Sequence, residues 1–203
     1  MTLDLITALI AFAFVTSITP GPNNLMLMIS GTNFGFSRTI PHMMGVAIGF
    51  TFMIGMIGVG LKEMFDAFPM SYNILKIISV IFLTYLAWKI ANAAPLNKDD
   101  VKKNAKPLNF LQAAAFQWIN PKAWIMAVSA IGTYTSGSES MMNIILVALI
   151  FGAINLPSVS LWVCMGTQLQ RILNSSIRLK IFNISAALLL IGSLYPVIFN
   201  TNF

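Results

Sequence analysis

Apolar residues gather into long runs along this chain, parted by short polar stretches. The runs cover residues 5–30, 40–61, 69–92, 110–134, 141–165 and 181–199. Each holds roughly 20–25 residues, the length a helix needs to cross a hydrocarbon core about 30 Å thick. The pattern predicts an all-α integral membrane protein with six transmembrane helices. Turns are predicted over residues 31–38, around Lys62, Glu63 and Asp66, over 136–140 and over 168–180. Residues 94–107 form a long polar linker that divides the chain almost in half. In the second run, Gly45 and Gly49 make a G-x-x-x-G pair, which lets helix backbones approach closely.

Composition agrees with this pattern. Hydrophobic residues make up 57% of the chain and charged residues only 9%, with a mean hydropathy of +0.81. Soluble domains carry about a quarter charged residues. One membrane domain, residues 1–203, is expected, with repeat one at 1–93, the linker at 94–107 and repeat two at 108–203. The formal charge of +6 lies in short loops rather than in a stripe, so it is a topology signal and not a nucleic-acid surface. Arg38, then Lys98, Lys102, Lys103 and Lys106, then Arg171, Arg178 and Lys180 follow runs one, three and five. The other loops carry Lys62 with Glu63 and Asp66, and Glu139. The positive-inside rule places the first set in the cytoplasm and both termini outside. No Lys or Arg precedes the first run and no small-residue cleavage site follows it, so that run is expected to persist in the membrane. Lys76 is expected to snorkel to the nearer interface, and Trp88 with Lys89 to anchor the end of run three. Cys164 is the lone cysteine and reads as a small packing residue; the methionines read as apolar filler. His42 reads as a solvated histidine at the cytoplasmic edge.

Two runs are interrupted. Thr19, Pro20, Gly21, Pro22, Asn23 and Asn24 lie in the middle of the first, and Asn120, Pro121 and Lys122 in the fourth. Prolines inside a run remove the N–H that a helix needs and push the preceding residue out of the helical region. Irregular backbone at membrane depth is tolerated only where protein or a cavity satisfies it. Aligning Pro20 with Pro121 places run two on run five and run three, less closely, on run six. Each half has three spans, so the second enters the membrane from the opposite side. Two inverted three-helix repeats with broken first helices match the plan of secondary transporters.

A broken helix frees carbonyls at one end and N–H groups at the next, and the N–H end suits a carboxylate. In the first break the free N–H groups are expected from Asn23, Asn24 and Leu25, with Thr19 capping the second half-helix. In the fourth run Asn120 is the expected cap. Lys122 is an ionisable residue near mid-span and therefore a functional candidate, against the plain alternative of a snorkelling lysine. Gln117, Trp118, Asn155 and Trp162 are weaker candidates, with interhelical bonding or packing as the alternative. No Asp or Glu lies inside a span, which disfavours a dibasic substrate. A small solute with a carboxylate fits, its ammonium resting on the carbonyls before the break; this is a zwitterionic neutral amino acid. The same lack leaves proton coupling without an evident acidic carrier.

These residues carry a resemblance. The Thr19 to Asn23 motif, the glycine-rich second run, Trp88-Lys89-Ile90-Ala91 before a basic central loop, and residues 117–122 are similar to the lysine exporter and homoserine/threonine exporter family of bacterial amino-acid efflux proteins. The resemblance spans essentially the whole chain, and the doubled Asn23-Asn24 looks most like the cysteine/O-acetylserine exporter branch. The family implies proton-driven export of amino acids across the bacterial inner membrane, and with the missing buried acid the leading reading is a secondary exporter of small neutral amino acids working by alternating access. The implied partners are an amino-acid substrate and the lipid bilayer, with no nucleic acid and no cofactor or metal; a homo-oligomer stays open. Alternatives are another amino-acid class (homoserine or threonine, leucine, or basic), a passive channel, or a structural subunit. A membrane-embedded enzyme is disfavoured by the single His, the single Cys and the lack of a buried acid.

Overall fold

The computed structural model describes residues 1–68, 70–92, 106–135, 141–172, 175–195 and 198, and they are helical nearly throughout. Most of the predicted basic linker, Glu139 and the end of run six lie outside the described residues. The helices are α1 (Leu3–Ile18), α2 (Pro22–Phe34), α3 (Phe36–Met56), α4 (Lys62–Ala67), α5 (Met70–Ala91), α6 (Phe110–Phe116), α7 (Pro121–Tyr134), α8 (Met141–Ile172) and α9 (Ser176–Gly192). A wide turn over Ile57–Leu61 extends α3, and a tight turn over Gln117–Ile119 follows α6. Three continuous helices, Phe36–Leu61, Met70–Ala91 and Met141–Leu169, are long and apolar enough to cross a membrane. Among the described residues the pair α1 and α2, bent by 55°, passes the same test together and counts as a fourth if it crosses as one broken span.

Several boundaries move. The turn predicted over 31–38 shrinks to Gly35, whose φ of 78° lies in the left-handed region that glycine adopts without strain. Thr32, before it, stays helical with its hydroxyl satisfied: it donates to Met28 O one turn back at 2.9 Å and across to Gly166 O on α8 at 3.0 Å. With α3 starting at Phe36, His42 lies well inside the helix and is 2% exposed, with no partner on either ring nitrogen. The expected solvated histidine is therefore a core residue. The turn at Lys62 to Asp66 is the short helix α4, and much of the predicted loop 168–180 is helix, shared between α8 and α9. Cys164 is exposed on α8 and does not pack inside. Lys76 donates to Ile198 O at 3.0 Å.

The helix pairs interlock the two halves of the chain: α1, α2 and α3 pack on α8, α3 also on α6, and α5 on α9. Gly45 and Gly49 serve the α3–α6 pair; a Cβ on Gly49 would lie 2.6 Å from Ala114 Cα, and one on Gly45 would meet Phe110 O. One apolar cluster joins Leu9, Phe50, Ile54, Trp124 and Phe151. A second joins Leu25, Leu83, Phe116 and Leu190. Thus α1 feeds the first cluster and α2 the second, with Leu27 of α2 in a third beside Val46 and Val159, and the break falls between them. On α5, Ile74, Ile77, Ile81, Tyr85 and Trp88 form an exposed stripe opposite buried Ser79, Leu83, Ala87 and Ile90. An exposed stripe this apolar is what a helix that crosses a membrane presents to lipid.

Candidate functional site

The first break begins where α1 meets proline. Thr19, held before Pro20, takes an extended conformation (φ −61°, ψ 143°) and ends the helix. Gly21 is extended as well, and Pro22 occupies the first position of α2, where its missing N–H is no loss. This leaves a set of carbonyls at the end of α1 that need donors. The Thr19 hydroxyl donates to Val15 O at 2.7 Å and to Thr16 O at 3.0 Å. Asn24 Nδ2 donates to Ser17 O and Thr19 O, both at 2.8 Å. The Trp162 indole donates to Ile18 O at 3.1 Å. Lys122 Nζ donates to Thr19 O at 2.7 Å, to Thr19 Oγ1 at 3.3 Å and to Pro20 O at 3.4 Å. Every carbonyl from Val15 to Pro20 is thereby satisfied.

Two sequence expectations change here. Thr19 caps the end of α1 and not the start of α2, which has no side-chain cap. The carbonyls expected to receive a substrate ammonium are filled by Asn24, Trp162 and Lys122. The N–H set is also smaller than expected. Leu25 N–H donates to Gly21 O at 3.0 Å, which leaves Asn23 and Asn24 as the uncapped donors of the first turn.

The second break is built differently. A capping box of Asn109 and Gln112 opens α6, and the chain tightens over Gln117–Ile119. Asn120 is extended (φ −89°, ψ 107°), and its side chain accepts the Lys122 N–H at 3.2 Å, the expected cap. Pro121 starts α7, so by position its counterpart is Pro22 rather than Pro20. Here too the carbonyls find donors: Trp124 Nε1 reaches Trp118 O at 3.0 Å and Ser79 Oγ reaches Ile119 O at 2.7 Å. The breaks are joined a second time by an exchanged amide pair. Asn23 Nδ2 donates to Gln117 Oε1 at 2.8 Å, and Gln117 Nε2 donates to Asn23 Oδ1 at 3.2 Å and to Ala113 O at 2.8 Å.

A cavity of about 20 Å³ lies against these joints, room for a water molecule and not for an amino acid. Of the predicted residues, Gly21, Asn23, Asn24, Asn120, Lys122 and Asn155 line it. Thr19, Pro20, Pro22, Pro121 and Gln117 shape the breaks without lining the cavity. Trp118 and Trp162 act as a backbone acceptor and a cap, each described above. Thr16, Ser17, Phe50, Ala123, Met126 and Val159 also line the wall and were missed. Ser17, a polar residue just before the break in an apolar helix, could have been found by its position. Nothing local marks Phe50, Met126 or Val159, which reach the cavity only through packing.

The LysE type translocator family matches residues 14–193. Cysteine/O-acetylserine efflux proteins of Escherichia coli (strain K12), Shigella sonnei (strain Ss046) and Shigella flexneri are each 28% identical over 193 residues, covering 94% of this chain and 96% of the relative. No solved structure matches the chain. The family match takes in both breaks and the whole lining of the cavity, and the chain belongs to the LysE type translocator family.

Proposed function

We propose that this chain exports small neutral amino acids of the cysteine/O-acetylserine type across the bacterial inner membrane. The observation that carries the reading is the junction of the two breaks: Lys122, on the second, holds the carbonyls of Thr19 and Pro20, on the first, beside a cavity with uncapped amides at Asn23 and Asn24. A carboxylate entering there meets the positive end of α2 and the one ammonium of the wall. Lys122 is then drawn from the α1 carbonyls to the substrate, and the bond that joins the halves is exchanged for one to cargo. That exchange couples binding to alternating access. The relatives' names support the substrate class. The absence of an acid inside any span supports a neutral cargo over a basic one.

The full architecture belongs to the same proposal. Six spans form two inverted repeats, with α6 and α7 making the fourth span around their break and α9 the sixth. Both termini face outward, and the proton gradient drives export. The test is overexpression in a bacterium, with extracellular amino acids profiled with and without an uncoupler. Cysteine or O-acetylserine should accumulate outside, and the uncoupler should abolish the accumulation. Unchanged profiles on overexpression overturn the reading.

A further inference from the structure

We propose that Asn155 Oδ1 is the acceptor for the substrate's α-ammonium and so makes the site selective for amino acids over plain carboxylates. This rests on the export reading above and adds the second pole of the site. Asn155 sits on α8 and lines the cavity. It is 6% exposed, and Nδ2 donates to Ser17 Oγ at 3.2 Å. Its Oδ1 is enclosed and has no partner. Nearly all buried side-chain polar atoms are paired, so this enclosed amide oxygen, facing a cavity, calls for a donor.

The surroundings state which donor. Ser17 lies in the last turn of α1, the negative end of that helix dipole, whereas Asn23 and Asn24 open α2 at its positive end. The cavity is therefore polarised, with a carboxylate favoured at one side and a cation at the other. At the cation side Ser17 O, Thr19 O and Ile18 O keep Asn24 and Trp162 as donors even when Lys122 turns to the carboxylate. Among the described residues the enclosed side-chain oxygen still open is that of Asn155. A neutral amide suits the role. It adds no formal charge when the cavity is empty, yet accepts a charge-assisted bond when an ammonium arrives. A purely apolar residue there would bind a carboxylic acid with or without its amine.

The test compares cysteine with 3-mercaptopropionate, which keeps the thiol and the carboxylate and lacks the ammonium. Dissociation constants come from ligand-induced thermal stabilisation of the purified full chain in detergent under reducing conditions. The wild type should bind cysteine at least about tenfold more tightly than 3-mercaptopropionate, because only cysteine pairs the open oxygen. In Asn155→Leu that ratio should fall towards one, chiefly by loss of cysteine binding. In Asn155→Asp, which keeps the acceptor and adds charge, the ratio should hold or rise. Equal binding of both ligands by the wild type overturns the proposal and leaves the export reading standing, since a carboxylate site remains. Equal weakening of both ligands in Asn155→Leu, or a lost preference in Asn155→Asp, also overturns it. If the wild type binds neither ligand, the export reading fails and this proposal with it.

Discussion

At the scale of single residues, Lys122 holds the most concentrated role. Its ammonium reaches two backbone carbonyls and a hydroxyl of the opposite half. Hydrogen bonds to a charged group contribute about 1.5–3 kcal/mol each. Lys122→Met should therefore abolish export while the protein still inserts, read as amino-acid efflux beside the amount of membrane-inserted protein. Gly21 is the hidden partner in this contact. A Cβ placed there would lie 2.7 Å from Lys122 Cδ, so Gly21→Ala should push the lysine stem off the α1 carbonyls. If both substitutions act on the same bond, the double variant melts no lower than Lys122→Met alone. Additive losses in melting temperature show instead that Gly21 serves a separate purpose.

At the scale of elements, the breaks were legible because proline announces them in any apolar run. The α2 and α7 starts at Pro22 and Pro121, and the cap at Asn120, follow from local chemistry. What misled was polarity taken as a sign of solvent. Thr32 looks like a turn residue, yet it bonds inside its own helix and across to Gly166 O. In a membrane such hydroxyls join helices. The misplaced turn then put His42 in solvent, whereas the fold buries it. The donors that fill the α1 carbonyls were not legible either. Trp162 and Ile18 are 144 positions apart, and only packing brings them together. The contact of α2 with α8 gives the check at this scale. A Cβ on Gly166 would run into Met28 O, so the helices must part to admit it. Gly166→Ala should destabilise the protein by about 1–3 kcal/mol, the usual penalty of overpacking. A lowered melting temperature in detergent measures this, and an unchanged one means that α8 yields more easily than its contacts indicate.

For the whole molecule, the principal helix pairs all cross between the halves of the chain, so neither half has a core to itself. The proposed orientation can be examined with single cysteines in a Cys164→Ser background, needed because the native thiol is exposed. Thr2→Cys should react with a membrane-impermeant maleimide on intact cells, and Lys103→Cys only after permeabilisation. The opposite pattern inverts the topology. The capped end of α1 has a further consequence for biosynthesis. Asn24 is made at nearly the same moment as the carbonyls it serves, but Lys122 and Trp162 emerge 103 and 144 residues after their acceptors. At ribosomal speed that is a delay on the order of ten seconds. Through that interval the break holds backbone carbonyls that hydrocarbon does not tolerate unpaired, each at several kcal/mol. The nascent first helix must then wait where water or the insertion machinery can solvate it, and it settles only once α7 and α8 arrive. Chains that stop short of α8 keep that polar backbone uncovered, which is a mark that membrane quality control can read.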